Sequence, residues 1–284
     1  HLTKSHYIAR GMEWGPKEVS IAFSPLNHDA VHLLNTSVMA LMGTTIVLCP
    51  TTKMDDILEN IEREKVTYCF FVPALLADFL HAPNLHKYDL FSLHSVICGG
   101  AHCPEELAKM AFNKLSEWGC SFHNCYGMTE GAVTITRAND PADVVAQTVG
   151  RAMCPYDEYK AVDESGAEVA RGLEGELVAR GPCIVSGYYK SEEENNQVFT
   201  PDGFFRTGDL ARFDQHGNLV ITGRRKDIIN RGGEKISAYE VEEMLHSHPG
   251  VLRAAVIGMP DTRLGERICA YVQPKENQKL NAAE

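Results

Sequence analysis

What this sequence of 284 residues lacks narrows its function before any motif is read. It has no surplus of positive charge. Its 27 Lys and Arg face 38 Asp and Glu, and the net charge of −11 argues against a general nucleic-acid surface. It has no apolar run approaching the ~20 residues that a membrane-spanning helix needs. The opening His1-Leu2-Thr3-Lys4-Ser5-His6 carries no apolar core of the signal-peptide kind. Among nine Cys there is no C-x-x-C pair and no metal-ligand spacing, which argues against a zinc site. The cysteines sit instead among apolar neighbours, as in Val47-Leu48-Cys49 and Val96-Ile97-Cys98. They read as reduced, buried side chains. These absences together predict a soluble, acidic, cytoplasmic protein with no membrane span and no nucleic-acid partner.

What is present is an α/β pattern. Val19–Phe23, Thr45–Leu48, Val66–Phe71 and Ser95–Cys98 are short, continuous apolar runs rich in β-branched or aromatic residues, as buried strands are. Between them Met54, Ile57, Leu58 and Ile61 recur at helical spacing, and so do Leu107, Met110, Ala111 and Leu115. Pro104-Glu105-Glu106 predicts a helix start, with acids at the positive end of the helix dipole. Strand–helix alternation predicts a parallel-sheet large domain, with its α/β part over 1–145. From 146 to 223, short strands separated by turn signals such as Asp163-Glu164-Ser165-Gly166 predict a β-rich subdomain. Residues 224–236 are charged and Gly-flanked, and are expected to be hinge and linker. Residues 237–284 predict the start of a small, truncated α+β domain. Its helix would run over Ala238–His246 behind Ser237 as N-cap, with strands at Ala254–Gly258 and Ile268–Val272.

Three constellations could carry chemistry. In Asn124-Cys125-Tyr126-Gly127-Met128-Thr129-Glu130-Gly131, glycine allows a ligand close to the backbone, and Tyr126 offers a flat face to a purine ring. Asn124 can donate to and accept from an adenine edge, and Thr129 offers a hydroxyl to a phosphate. Glu130 is a hard oxygen ligand suited to Mg²⁺. Each residue taken singly also fits an ordinary turn or core position. Gly99-Gly100-Ala101 follows a strand, where open parallel sheets bind ligands, although a plain tight turn reads the same way. The third constellation joins Thr207-Gly208-Asp209-Leu210, Gly223-Arg224-Arg225-Lys226-Asp227 and Asn230-Arg231-Gly232-Gly233-Glu234-Lys235. There an Asp can accept both ribose hydroxyls, and an Arg can bridge ribose and phosphate.

In this order the three constellations resemble the adenylate-forming superfamily: acyl- and aryl-CoA ligases, peptide-synthetase adenylation domains and beetle luciferases. Gly187-Tyr188-Tyr189 and Asn230–Lys235 look most similar to the stand-alone aryl-acid AMP ligases, such as those acting on 2,3-dihydroxybenzoate or salicylate. The resemblance implies ATP-dependent activation of a small carboxylic acid, aryl or small acyl, to an acyl-adenylate. Transfer to the thiol of coenzyme A, or of the phosphopantetheine of an acyl-carrier protein, would follow.

The resemblance also implies residue roles. Gly100, Ala101, Asn124, Tyr126, Gly127, Met128, Thr129, Asp209, Ile221 and Arg224 would bind nucleotide. Thr129, Glu130 and Arg224 would serve catalysis, with Glu130 holding Mg²⁺. His28, Asp29, Gly100, Cys125, Gly127 and Val149 would line the acid pocket. Asp227 would be the hinge, and Arg231, Gly232 and Gly233 would line the thiol's tunnel. Relatives of the aryl-acid type carry Asn where this chain has Asp29. Either Asp29 faces an amino or hydroxyl group of the substrate, or it caps a helix beginning near Ala30. The family's phosphate loop is expected before His1, and its catalytic Lys beyond Glu284. The 284 residues are therefore expected to be a fragment, weak or inactive in adenylation alone, with simple nucleotide binding as the alternative.

Overall fold

The computed structural model describes residues 1–275. At its centre lie β1 (Val19–Ala22), β2 (Thr45–Leu48), β3 (Tyr68–Phe71), β4 (Ser95–Cys98), β5 (Ser121–Met128), β6 (Gly131–Ile135) and β7 (Arg151–Ala152). They form one sheet in the order β2-β1-β3-β4-β5-β6-β7. The pairs from β2 through β5 are parallel; those from β5 to β7 are antiparallel. The change of sense happens within β5. Ser121–Asn124 pair with β4, and Cys125–Met128 pair with β6.

Helical periodicity explains the layer on this sheet. Met54–Glu64 buries Ile57, Leu58 and Ile61 on one face, and Asp55 and Asp56 occupy its first turn. Glu105–Ser116 buries Ala108, Ala111 and Leu115, with Glu105 and Glu106 in its first turn. These faces meet Phe71, Phe79 and Val96 in the largest apolar core. Each fully buried Ile, Leu, Val or Phe among them contributes about 1.5–3 kcal/mol to holding the helices on the sheet.

A second sheet, in the order β11-β10-β9-β8, contains β8 (Glu158–Val162), β9 (Gly175–Arg180), β10 (Phe205–Phe213) and β11 (Leu219–Arg224), all antiparallel. Its turns are set by aspartates. Asp163 Oδ1 accepts from the Ser165 and Ala167 N–H groups at 2.8 and 3.0 Å. Asp214 Oδ1 accepts from His216 and Asn218, both at 2.8 Å. Arg151 and Ala152 differ from the sequence expectation in serving the large sheet as β7, whereas Val149 and Gly150 just before them exchange backbone hydrogen bonds with Leu219 of β11.

The third sheet, in the order β13-β12-β15-β14, holds β12 (Ile228–Arg231), β13 (Glu234–Ser237), β14 (Val251–Asp261) and β15 (Gly265–Pro274). Helix Ala238–His246 packs on it around Ile229, Ala238 and Val256. Here two expectations need correction. The stretch 224–236 is not an open linker. Only Arg225–Asp227 forms a short turn, and Ile228–Ser237 closes into a hairpin. Ile229 and Ile236 give the hairpin an apolar face, and Gly232 and Gly233 at φ +61° and +93° make the tight turn. Ser237 does stand at the helix N-cap, as expected, but without the capping bond: its hydroxyl donates to the Thr222 carbonyl at 2.8 Å. The part of this unit beyond Lys275 lies outside the described residues. Among the described residues no helix is long and apolar enough to cross a membrane.

Candidate active site

Parallel strands leave their C-terminal ends as a ledge, and here that ledge carries a pocket. The turn after β4 contributes Gly100 and Ala101, and β5 contributes Asn124, Cys125, Tyr126 and Gly127. Val149, Asp209, Ile221 and Arg224 close it from the following elements. The sequence thus names these residues as site candidates, and the fold brings them around one cavity. Gly99 permits the approach of the two strand ends, since a Cβ there would sit 2.3 Å from Cys125 Sγ.

Asn124 is buried. Its side-chain N–H₂ donates to the carbonyls of Thr148 at 3.2 Å and Val145 at 3.5 Å. Its donors are thus spent within the protein, and the side-chain oxygen is the group left for a ligand's amino function. The Tyr126 ring packs with Val149 and Ile221 against Leu177 and Ala211, so its edge is fixed. Its hydroxyl donates to Asp209 Oδ2 at 2.6 Å. Burial, and then the Asp209 charge, push the Tyr126 hydroxyl pKa up, so it stays a donor.

Asp209 is only 4% exposed. A register shift between Arg206 and Leu210 bulges β10 at Thr207-Gly208 and turns Asp209 into the pocket. Its backbone N–H donates to the Thr207 hydroxyl at 3.1 Å, which fixes the bulge. Arg224 lies opposite on β11, with Nε 3.0 Å from Asp209 Oδ1. The pair leaves one cation half-exposed beside a buried carboxylate, an arrangement suited to a diol next to a phosphate.

Met128, Thr129 and Glu130 lie outside this pocket, where β5 turns into β6. Thr129 is exposed. Glu130 is held twice: Tyr188 donates its hydroxyl to Oε1 at 2.8 Å, and Val185 N–H donates to the Glu130 carbonyl at 2.7 Å. Burial, then the Glu130 contact, raise the Tyr188 hydroxyl pKa to about 12. The Lys4 ammonium, only 3% exposed, reaches the carbonyls of Met128 and Thr129 at 3.5 and 3.4 Å. It also lies 3.6 Å from Asp29 Oδ2, and His1 Nδ1 lies 3.0 Å from Asp29 Oδ1.

Asp29 is therefore linked through Lys4 to the Met128–Thr129 turn, and neither it nor His28 lines the pocket described above. Asp29 is not a helix cap either. It occupies the first position of helix Asp29–Val31, and the cap position belongs to His28, whose side chain makes no capping bond. The carboxylate turns instead to Lys4 and His1.

Lys4, Tyr188 and Tyr239 take roles at the site that no local sequence pattern marks. Tyr239 lines the pocket from the third sheet's helix, its ring 4.8 Å from that of His102. That helix also reaches the large sheet through Glu243, which pairs with His102 and accepts from Glu105 N–H at 3.3 Å. Arg253 on β14 pairs with Asp78 at 2.5 Å. Asp227 lies in the short turn after β11, while Arg231, Gly232 and Gly233 form the hairpin end, and none of them lines the pocket.

A family model described as AMP-binding enzyme matches residues 2–189, and one described as AMP-binding enzyme C-terminal domain matches 240–284. The chain is 41% identical over 260 residues to the 2,3-dihydroxybenzoate-AMP ligase of Bacillus subtilis, covering 91% of this chain and 48% of that protein. It is 44% identical over 266 residues to triostin synthetase I of Streptomyces triostinicus, covering 93% and 49%. The structure of amide bond synthetase McbA from Marinactinospora thermotolerans superposes with a TM-score of 0.88 at 32% identity, covering 98% of this chain and 56% of that one. The chain spans about half the length of the curated relatives it matches.

Proposed function

The chain belongs to the AMP-binding enzyme family, and on that premise we propose that the whole protein activates a carboxylic acid with ATP and passes the acyl group to a thiol. The observation that carries this reading is the single pocket gathering Asn124, Tyr126, Asp209 and Arg224 at the ends of β4 and β5.

The residues fit an adenosine phosphate. The Asn124 side-chain oxygen accepts from the adenine amino group, and the Tyr126 ring walls the base. Asp209 accepts from the ribose hydroxyls, and Arg224 stands beside the ribose and α-phosphate as a fixed cation. Thr129 offers its hydroxyl at the phosphate turn. The Glu130 carboxylate supplies oxygen to Mg²⁺, which when bound neutralises phosphate charge. In the reaction a carboxylate oxygen attacks the α-phosphorus and pyrophosphate leaves. The mixed anhydride then acylates the thiol, and AMP leaves. The protein's part is positioning and charge stabilisation. Val149, Cys125, Gly100 and Gly127 shape the acyl end, with Asp227 as hinge and the Arg231–Gly233 turn facing the thiol's arrival.

The similarity to a 2,3-dihydroxybenzoate-AMP ligase favours an aryl acid, and the acceptor in this reading is coenzyme A or a carrier-protein phosphopantetheine. The nine free cysteines suit a reducing compartment, and we place the protein in the cytoplasm. The test is ATP–pyrophosphate exchange by the full-length protein over benzoate, salicylate, 2,3-dihydroxybenzoate and anthranilate. The expected result is exchange with at least one aryl acid. AMP binding with no exchange for any acid would favour a purely nucleotide-binding role.

A further inference from the structure

Outside the pocket, three side chains meet where two turns face each other. The sulfurs of Cys154 and Cys183 and a carboxylate oxygen of Asp157 all lie within 4.8 Å of one another. The first turn follows β7, and Asp157 N–H donates to the Cys154 carbonyl at 3.2 Å. The second runs from Gly181 to Ile184, closed by Ile184 N–H donating to the Gly181 carbonyl at 3.1 Å. The turns are tied by Cys183 N–H donating to Asp157 Oδ1 at 3.1 Å. Gly181 makes the approach possible. Its φ is +150°, and a Cβ there would lie 2.3 Å from Asp157 Oδ1.

The environment suits a cation. Cys154 is buried, while Cys183 and Asp157 are partly exposed, so an ion has a way in. The Tyr159 hydroxyl is buried nearby without a hydrogen-bond partner among the described residues.

We infer that Cys154, Asp157 and Cys183 form a binding site for a thiophilic divalent cation of the zinc class. Two thiolates exclude the hard cations Mg²⁺ and Ca²⁺, which select oxygen, and match zinc's usual sulfur and carboxylate ligands. Among the described residues no other His, Cys, Asp or Glu joins the group, so a fourth position is left to water. On binding, each thiol releases its proton to solvent and gives the metal a sulfur lone pair. The metal would also pin the segment that begins at Cys183. Val185 and Tyr188 on that segment hold Glu130, so the site braces the same turn from outside.

The inference does not depend on the proposed ligase activity, and its test reads metal binding directly. The fully reduced full-length protein is titrated with Co²⁺ and followed by absorption. The expected result is a sulfur-to-cobalt charge-transfer band saturating at a single equivalent, with the ligand-field bands of a tetrahedral ion, displaced by Zn²⁺. Cys154→Ser/Cys183→Ser loses the band while the other seven cysteines remain. Asp157→Asn, nearly isosteric, keeps the fold and weakens binding about tenfold or more. No thiolate band in the reduced protein overturns the inference, as does a band that survives in the double variant. Loss of two titratable thiols to a disulfide in air, with no cobalt band after reduction, overturns it too.

Discussion

Tyr126 and Asp209 are joined by a 2.6 Å hydrogen bond across 83 residues of sequence, and it occupies one oxygen of a buried carboxylate. Arg224 takes the other oxygen at 3.0 Å. Tyr126→Phe keeps the ring and removes the donor, leaving an acceptor of a buried charge unpaired. The expected cost is about 1–3 kcal/mol of unfolding free energy without nucleotide. A ribose hydroxyl can replace the lost donor, so the cost shrinks when AMP is present. Urea unfolding with and without AMP checks this. An equal penalty in both would remove the ribose from Asp209.

Tyr188 donates to Glu130 at 2.8 Å and orients the carboxylate proposed to serve Mg²⁺. Tyr188→Phe is expected to raise the Mg²⁺ concentration for half-maximal pyrophosphate exchange about tenfold, the low end of what partners of metal ligands contribute. The rate at saturating Mg²⁺ should change little. A Mg²⁺ curve that does not move would separate Tyr188 from the metal.

Gly99 and Cys125 are packed too closely for any side chain at position 99. A Cβ would lie 2.3 Å from Cys125 Sγ and 3.0 Å from its carbonyl. Gly99→Ala should therefore destabilise the protein by about 1–3 kcal/mol. Adding Cys125→Ala should recover part of that loss, because the closer contact is with the sulfur. Chemical denaturation of both singles and the double measures the coupling, and strict additivity would argue that the backbone carbonyl alone sets the cost.

His123 gives a pH signature. It is buried, and its Nδ1–H donates to the Thr136 carbonyl at 3.0 Å. Burial is the main reason its pKa falls below the ordinary 6.5, with the Arg137 charge adding to it. The unfolded chain then takes up a proton more readily than the folded one. The stability held by neutral His123 is complete above pH 6.5 and is lost as pH falls from there toward the lowered folded value. His123→Gln should flatten the pH dependence of the urea midpoint on the acid side of 6.5. An unchanged slope would assign the acid lability elsewhere.

Much of this molecule is legible in its residues. The runs that form β1 and β4 and the two amphipathic helices follow from burial on one or two faces, and burial leaves a period; the run Thr45–Leu48 does form β2, but as the edge strand of the sheet and with Leu48 exposed, so it is not the buried strand expected. The pocket residues of β5, β10 and β11 are likewise legible, because each chemical task restricts residue type locally. What escaped depends on contacts between distant parts of the chain. Lys4 meets Thr129 across 125 positions and Tyr188 meets Glu130 across 58, and no local pattern marks either pair. The hairpin Ile228–Ser237 was hidden by charge, since Arg225, Lys226, Asp227 and Arg231 obscure an apolar face carried mainly by Ile229 and Ile236. The cysteine spacing excluded zinc for the same reason. Cys154 and Cys183 are brought together by a turn over Gly181 that no linear template contains.

The divided loyalty of β5 has a consequence for how the site can come into being. Residues 121–124 answer to a parallel neighbour and 125–128 to an antiparallel one, and a one-residue slip in either half would turn alternate side chains to the wrong face of both. Asn124 and Tyr126 straddle that seam. A half-assembled chain can present one of them in place but not both. The adenine recognition proposed for these two residues should therefore be silent in any partly folded species and switch on only with the last long-range pairing. A nucleotide analogue would then serve as a reporter of completed folding.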